Sequence, residues 1–364
     1  MATLDELVFY CRSENPIGAM FLLGDSGCGK TYLVENELQE ALKDTHIIVR
    51  VSLFGINSFE ALHKAVKDKW VSALVPSYSN QEHQAEKMVI GKNFINAVNA
   101  VLRAFSPTIG YLGDAASNIM NDVIILPVVE DVHSKKTKKV VLVFDDVDCT
   151  MLNPLELMGT INDYCENRNF LTILVGNKEN IAELINQNTA LVKTAKEKAI
   201  AYMVHIHPEF EKIVRSLIAG KKWQSMDYAA FLRRHEETII KIFASDNAVT
   251  TGAGDDVVLG KCHNLRCLTT ALEGFFRVYY HMTEAGMKNL APYLHSFLAF
   301  YLAERGGILR NGRTSYIHTD EELGRLYPEF SPAYLIESVR VWICEGYWNT
   351  ERFLEELSHA RERV

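Results

Sequence analysis

The stretch Ala19–Thr31, AMFLLGDSGCGKT, decides the fold. Its five apolar residues stop abruptly at Gly24, and GDSGCGKT then satisfies the pattern G-x-x-x-x-G-K-[ST]. Downstream, Val34, Leu38, Ala41 and Leu42 recur at helical spacing, so the pattern lies between a buried strand and a helix. That context separates a phosphate-binding loop from a chance glycine-rich turn. Glycines at 24, 27 and 29 let the backbone wrap an anion with its N–H groups inward. The helix N-terminus adds partial positive charge. Lys30 would bridge the β- and γ-phosphates of ATP, and the Thr31 hydroxyl would ligate Mg2+. The nucleotide-binding residues expected are Gly24, Asp25, Ser26, Gly27, Cys28, Gly29, Lys30, Thr31 and Tyr32.

Such a loop needs an acid on a neighbouring strand. VVLVFDDVD, Val140–Asp148, supplies five apolar residues followed by Asp145, Asp146 and Asp148. Asp145, at the strand end, is the expected magnesium-side acid, and Asp146 would face the attacking water as general base. Asp148 is equally readable as part of a solvated acidic turn.

A third strand, in FLTILVGNKEN (Phe170–Asn180), ends in Asn-Lys-x-Asn. Guanine recognition would need a carboxylate at the fourth place. The Asn180 amide offers one acceptor oxygen beside an NH2 group that would meet the guanine amine donor to donor. The tetrad is therefore not a guanine clamp, and ATP is expected over GTP. Asn177 sits where a polar side chain can reach the γ-phosphate or the lytic water, as a sensor residue does. The alternative is a strand-end turn residue.

Strand-like runs at Ala19–Leu23, His46–Ser52, Val140–Phe144 and Leu171–Val175 alternate with helical patterns. Those patterns follow Ser58 (Phe59, Leu62, Val66, Trp70), cover Phe94–Phe105, and open at Pro154. Strands without polar alternation, separated by helices, predict an α/β fold: a parallel sheet covered by helices. Beyond His207 the strands fade. Stripes at Tyr228, Phe231, His235, Ile239 and Phe243, and at Leu265, Leu268, Leu272, Phe276 and Tyr279, predict helices. Further helices are expected over Ala291–Glu304, Ala333–Cys344 and Asn349–Arg361, with Ser245–Gly260 as a loop. The expected domains are a P-loop domain, 1–207, and an all-α C-terminal domain, 208–364.

Composition narrows the class. The 364 residues are 48% apolar and 23% charged, with net charge −8, which disfavours a protein that coats nucleic acid. Seven cysteines without a CxxC pair, and no secretory leader at Met1–Tyr10, point to a reducing cytoplasm. The longest apolar candidate, Ala104–Val129, is interrupted by Asp114, Asn118, Asn121 and Asp122, so no integral membrane segment is expected. The basic run SKKTKK, Ser134–Lys139, could touch a phosphate backbone but reads first as a solvated loop. HIHP (His205–Pro208) and CHNLRC (Cys262–Cys267) lack zinc-site spacing.

The blocks GDSGCGKTYLVENEL, VRVSLFGINSFEAL, LVFDDVDCTMLNPLELMGTINDYCENRNFLTILVGNKENI, KEKAIAYMVHIHPEF and NLRCLTTALEGF occur in the order that resembles KAP-type P-loop NTPases. These are a bacterial group related to the STAND and AAA+ ATPases. The resemblance spans roughly residues 17–280. It implies an ATP- and Mg2+-dependent hydrolase working as a nucleotide-driven switch or assembly module. Its partners would be further copies of itself or an effector protein encoded nearby, plausibly in defence against phage. A DNA-handling AAA+-like initiator or loader is the alternative. Arg266 stands where AAA+ relatives place a sensor arginine, with a surface salt bridge as the alternative. Lys196 and Lys198, which follow the sensor strand, could reach phosphate or an adjoining protomer, or else lie on an exposed helical face. One departure stands out: relatives read DDLDRC or DDLERC where this chain has Cys149 and Thr150 in place of the basic position and its successor. No other arginine near the motifs is an obvious substitute. Arg168, at the end of the following helix, is the best local candidate, and slow hydrolysis by an isolated monomer follows.

Overall fold

Strands that are apolar from end to end must be covered on both faces, and each fully buried Leu or Phe contributes about 1.5–3 kcal/mol. Two strands here are buried at every position: β1 (Ala19–Leu23), wholly apolar, and β5 (Leu171–Gly176), apolar but for Thr172. The computed structural model describes residues 2–14, 17–74, 125–130, 136–177, 197–251, 257–309, 317 and 319–361. By their contacts these form two units: Met1–Asp25 with Lys30–His207, and Ser26–Gly29 with Pro208–Val364.

In the first unit β1 and β5 are central. Parallel pairing runs β2–β4–β5–β1–β6, where β2 is His46–Ser52, β4 Thr137–Asp145 and β6 Ile200–His205. A short strand, β3 (Val128–Glu130), pairs antiparallel with the start of β4. Alternation along β1 sorts the side chains. Ala19, Phe21 and Leu23 join Val49, Val51, Phe144 and Tyr164 on one face. Met20 and Leu22 join Val141, Val143, Ile173, Leu33 and Leu38 on the other. A helix absent from the expected elements, α1 (Ala2–Cys11), completes that second face with Leu7 and Tyr10. The buried Tyr10 hydroxyl donates to the carbonyls of Gly18 (2.9 Å) and Thr172 (3.0 Å) and accepts from the Thr172 N–H (3.1 Å).

The sequence pattern missed β6. Ile200–Val204 is an apolar run in sequence, but on this edge strand Tyr202 and Met203 are exposed, so burial does not follow the run. After the phosphate loop the chain is helical from Lys30–Tyr32, through a π-helical segment Leu33–Leu38, into Gln39–Leu42. The helix Phe59–Leu74 buries Leu62, Val66 and Trp70 as their spacing predicts. The helix expected over Phe94–Phe105, and most of Ala104–Val129, lie outside the described residues. Among the described residues no helix is long and apolar enough to cross a membrane.

The second unit packs helices around aromatic rings. Tyr228 lies 5.2 Å from Phe276 and 4.9 Å from Tyr279, centre to centre, and donates its hydroxyl to the Leu272 carbonyl. Phe275 meets Phe297 at 5.3 Å, which links the helices Leu265–Glu284 and Ala291–Arg305. Three expectations are corrected. The stripe through His235 is two helices, Met226–Arg234 and Glu236–Ala244, because its spacing encodes burial rather than continuity. The region read as a loop holds an antiparallel pair, Ala248–Thr251 with Val257–Gly260, within a mainly helical unit. Its valines and threonines favour strand, which the neighbouring glycines and aspartates obscured. The late helix begins at Glu337, not Ala333, after a single 3-10 turn over Pro332–Tyr334.

Candidate nucleotide-binding site

Three strand ends build the site: β1, β4 and β5. The Gly24 N–H donates to the Gly176 carbonyl at 3.3 Å, which ties the loop's first residue to the end of β5. Gly27 and Gly29 hold φ of 75° and 102°, a region closed to most side chains. The loop's tip, Ser26–Gly29, falls by its contacts in the second unit. There the Leu265 N–H donates to the Gly27 carbonyl at 2.9 Å, and a Cβ at position 27 would come within 2.2 Å of Asn264 Oδ1. Lys30 Nζ donates to the carbonyls of Gly24 and Asp25, both at 2.7 Å, so its charge is held against the loop.

At the metal side, Thr31 Oγ1 donates to Asp145 Oδ2 at 2.9 Å. Asp145 is 2% exposed, and a buried carboxylate is costly unless paired and hydrogen-bonded. The pairing comes from Arg50 on β2, the strand beside β4. Its Nε and Nη2 reach the same Oδ2 at 2.8 and 2.7 Å, and its Nη1 reaches Glu35 Oε1 at 2.7 Å. The Asp146 N–H donates to Asp145 Oδ1 at 2.9 Å. A hydroxyl and a carboxylate side by side at the end of a phosphate loop form a donor set that would suit Mg2+, with Thr31 and Asp145 as the residues that would hold it.

Asp146 stands in the left-handed region, φ 57°, which costs a non-glycine residue about 1–2 kcal/mol. Its carboxylate accepts from Ser52 Oγ at 2.6 Å. Strain of this kind persists where the surroundings fix it and where a side chain must be aimed. Asp148 is no solvated bystander: its Oδ1 accepts the Asn177 N–H at 3.0 Å, which joins the turn after β4 to the end of β5. Asn177 is half-buried at that end, and β5 lies between β1 and β4. Lys178 to Asn180 lie outside the described residues, as does Lys196.

A model of the KAP family P-loop domain matches residues 11–250. The chain belongs to this family of P-loop NTPases. A search of curated proteins finds no match. Among solved structures the chain is similar to Cdc6p of Pyrobaculum aerophilum, at 16% identity and TM-score 0.41, covering 100% of this chain and 84% of that one. It is similar to the ORC2 protein of Aeropyrum pernix at 13% identity and TM-score 0.37, covering 98% and 82%. It also resembles domain III of the replication initiation protein DnaA of Thermotoga maritima, at 12% identity and TM-score 0.35, covering 82% and 90%.

In this KAP-family chain the sequence reading missed Arg50, Glu35 and Ser52; Arg50 stands near the motifs but is paired with Asp145 and Glu35 rather than taking the basic position that Cys149 occupies. A signal existed. Arg50 is a lone positive charge inside the apolar strand HIIVRVS, where an unpaired charge would not be tolerated. Arg168, the candidate named for that absence, pairs with Asp163 Oδ2 at 2.7 Å and lies over the Tyr164 ring. Cys149, in the family's basic position, is exposed; partial burial and then the Asp148 and Asp146 carboxylates push its thiol up. Of the basic run, Lys138 and Lys139 donate to the carbonyls of Lys43 and Ser13 at 2.7 and 3.0 Å; Ser134 and Lys135 lie outside the described residues. Lys198 is exposed just before β6. In the second unit Arg266 is exposed at the start of its helix, which Asn264 caps by accepting from the N–H groups of Arg266 (2.9 Å) and Cys267 (3.2 Å). Among the described residues no group of three or more His, Cys, Asp or Glu is arranged to hold a metal.

Proposed function

We propose that this chain binds ATP with Mg2+ and hydrolyses it slowly, as a nucleotide-driven switch or assembly module for a partner. The observation that carries the reading is the contact between Thr31 Oγ1 and Asp145 Oδ2 at the end of a phosphate loop, with Asp146 aimed by its neighbours one residue further on. Lys30 supplies side-chain charge to the β- and γ-phosphates once it leaves the loop carbonyls. Asp146 accepts the proton of the attacking water, and Asn177 orients that water or the γ-phosphate. Mg2+, when bound, neutralises charge on the β- and γ-phosphate oxygens. Arg266 reports nucleotide state as a sensor arginine. Membership of the KAP family supports a cytoplasmic switch acting with further copies of itself or with an effector, in defence against phage.

The deciding experiment measures ATP affinity and turnover for wild type and Lys30→Ala, with GTP as competitor. Losing a charged partner of this kind costs about 2–5 kcal/mol, so affinity should fall at least about 30-fold. Unchanged affinity and turnover in the variant would defeat the assignment. GTP binding as tightly as ATP would overturn the adenine preference. Turnover per subunit should rise with protein concentration or with the product of a neighbouring gene. Stimulation by nucleic acid instead would point to DNA handling.

A further inference from the structure

Asp145 has two carboxylate oxygens and four donors. Oδ2 accepts from Thr31 Oγ1, Arg50 Nε and Arg50 Nη2, and Oδ1 accepts from the Asp146 N–H. Each oxygen of an ionised carboxylate has about two lone-pair sites, so Oδ2, the oxygen beside the Thr31 hydroxyl, is oversubscribed while Oδ1 keeps one site. If Oδ2 is to hold a metal ion or a metal-bound water on the Thr31 side, a donor must leave. The Asp146 N–H is fixed by the backbone of a strained turn, and the Thr31 hydroxyl is itself an expected ligand. Arg50 is different. It is 30% exposed, and its Nη1 already grips Glu35, which is 49% exposed on the helical segment behind the loop. It can give up one carboxylate while keeping the other.

Without the arginine, the 2%-exposed Asp145 would be a buried, uncompensated charge. We infer that Arg50 is a positioning residue acting through Asp145: a resident cation that neutralises this acid in the metal-free protein and shifts onto Glu35 when Mg2+ arrives. Arg50 therefore competes with the ion, and Glu35 sets how readily it withdraws. The inference rests on the nucleotide-site reading above and adds the exchange of one cation for another at Asp145. A fixed clamp that merely orients Asp145 would act in the opposite sense, since removing it would weaken metal binding.

The test uses the full chain, stripped with EDTA. Binding of a fluorescent ATP analogue is followed as free Mg2+ is raised, and melting temperature is read without nucleotide, with and without Mg2+. A charge-assisted hydrogen bond displaced by the ion is worth about a tenfold change in its midpoint. Arg50→Gln should therefore lower the half-saturating Mg2+ about tenfold. It should also melt earlier in EDTA and regain stability from Mg2+ alone, which wild type does not. Arg50→Lys, which keeps the charge, should restore the wild-type midpoint. Glu35→Gln should raise the midpoint, and should do nothing in the Arg50→Gln background, because it acts only through the arginine. An unchanged or higher midpoint in Arg50→Gln overturns the exchange. If that variant does not fold, Glu35→Gln decides, and an unchanged or lower midpoint overturns it. Should wild type bind no analogue at any Mg2+ concentration, the nucleotide reading fails separately. Melting of Arg50→Gln with Mg2+ alone then decides the exchange, and no gain there overturns it.

Discussion

The two units handle buried polarity in opposite ways. In the first, a buried carboxylate, a left-handed aspartate and a half-buried arginine crowd the ends of two adjacent strands, β2 and β4. In the second, among the described residues, the wholly buried polar side chains are Ser296 and Ser338, the Glu329 carboxylate is 10% exposed and pairs with Lys241 at 2.9 Å, and the interior is mainly rings and aliphatic chains. Other charges pair near the surface, as where Arg215 meets Glu211, Glu236 and Glu237. Buried charge is retained where something is to be held or moved, and avoided where packing alone must supply stability. Substitutions in the first unit should therefore register in binding and turnover, and those in the second in unfolding.

The largest effect expected from this contrast is in the aromatic core. Phe275 is fully buried between Phe231 and Phe297. Replacing it with alanine should cost about 3–5 kcal/mol in denaturant unfolding, a large share of a total of about 5–15 kcal/mol. A loss below about 1 kcal/mol would mean that the rings repack freely and the contrast is overdrawn. In the first unit, Asp146→Asn should leave ATP affinity intact and slow hydrolysis by roughly 10²-fold or more, with little change in melting. Near-wild-type turnover would move the water-activating role to Asp148 or to another copy of the chain. Ser52→Ala tests the support beneath Asp146. Losing one hydrogen bond worth about 1 kcal/mol should slow turnover about fivefold. An equal loss of ATP affinity would show that Ser52 shapes the loop rather than the base.

The same contrast explains what the sequence makes legible. Residues 19–31 and 140–148 are readable because an apolar strand, a sharp stop and a fixed order of side chains coincide. The helical stripes of the second unit are readable as burial, but not as element boundaries. Hence the break at His235 and the strand pair beside Gly252 were missed. Arg50 escaped for another reason. Its partners Asp145 and Glu35 are 95 and 15 residues away in sequence, and only the pairing of β2 with β4 brings the acid to it. Long-range pairing of polar groups leaves no local pattern, whereas a phosphate loop is local from its first glycine to its threonine.

The smallest predicted effect compares two histidines, one in each unit, whose pKa values are both lowered chiefly by burial. His46, on β2, has partners on both ring nitrogens: Nε2 lies 2.8 Å from the Cys11 carbonyl and Nδ1 2.8 Å from Thr45 Oγ1. A carbonyl accepts from an imidazolium as well as from a neutral ring, so the Cys11 contact opposes the downward shift. His295 has a buried Nε2 with no hydrogen bond and faces the His235 ring at 6.0 Å; that second histidine lowers its pKa further, while Glu329 pulls the other way. A histidine whose folded pKa lies below its unfolded value takes up its proton more readily when unfolded. Its contribution is complete above the ordinary value of 6.5 and is lost as pH falls through the folded one. The slope is at most about 1.4 kcal/mol per pH unit for one proton. Unfolding measured at pH 7.5 and 5.5 should therefore show His295→Leu losing less stability in acid than wild type. His46→Gln should track wild type more closely. If the two variants flatten the acid loss equally, partnering of the ring nitrogens does not distinguish the units, and burial alone governs both.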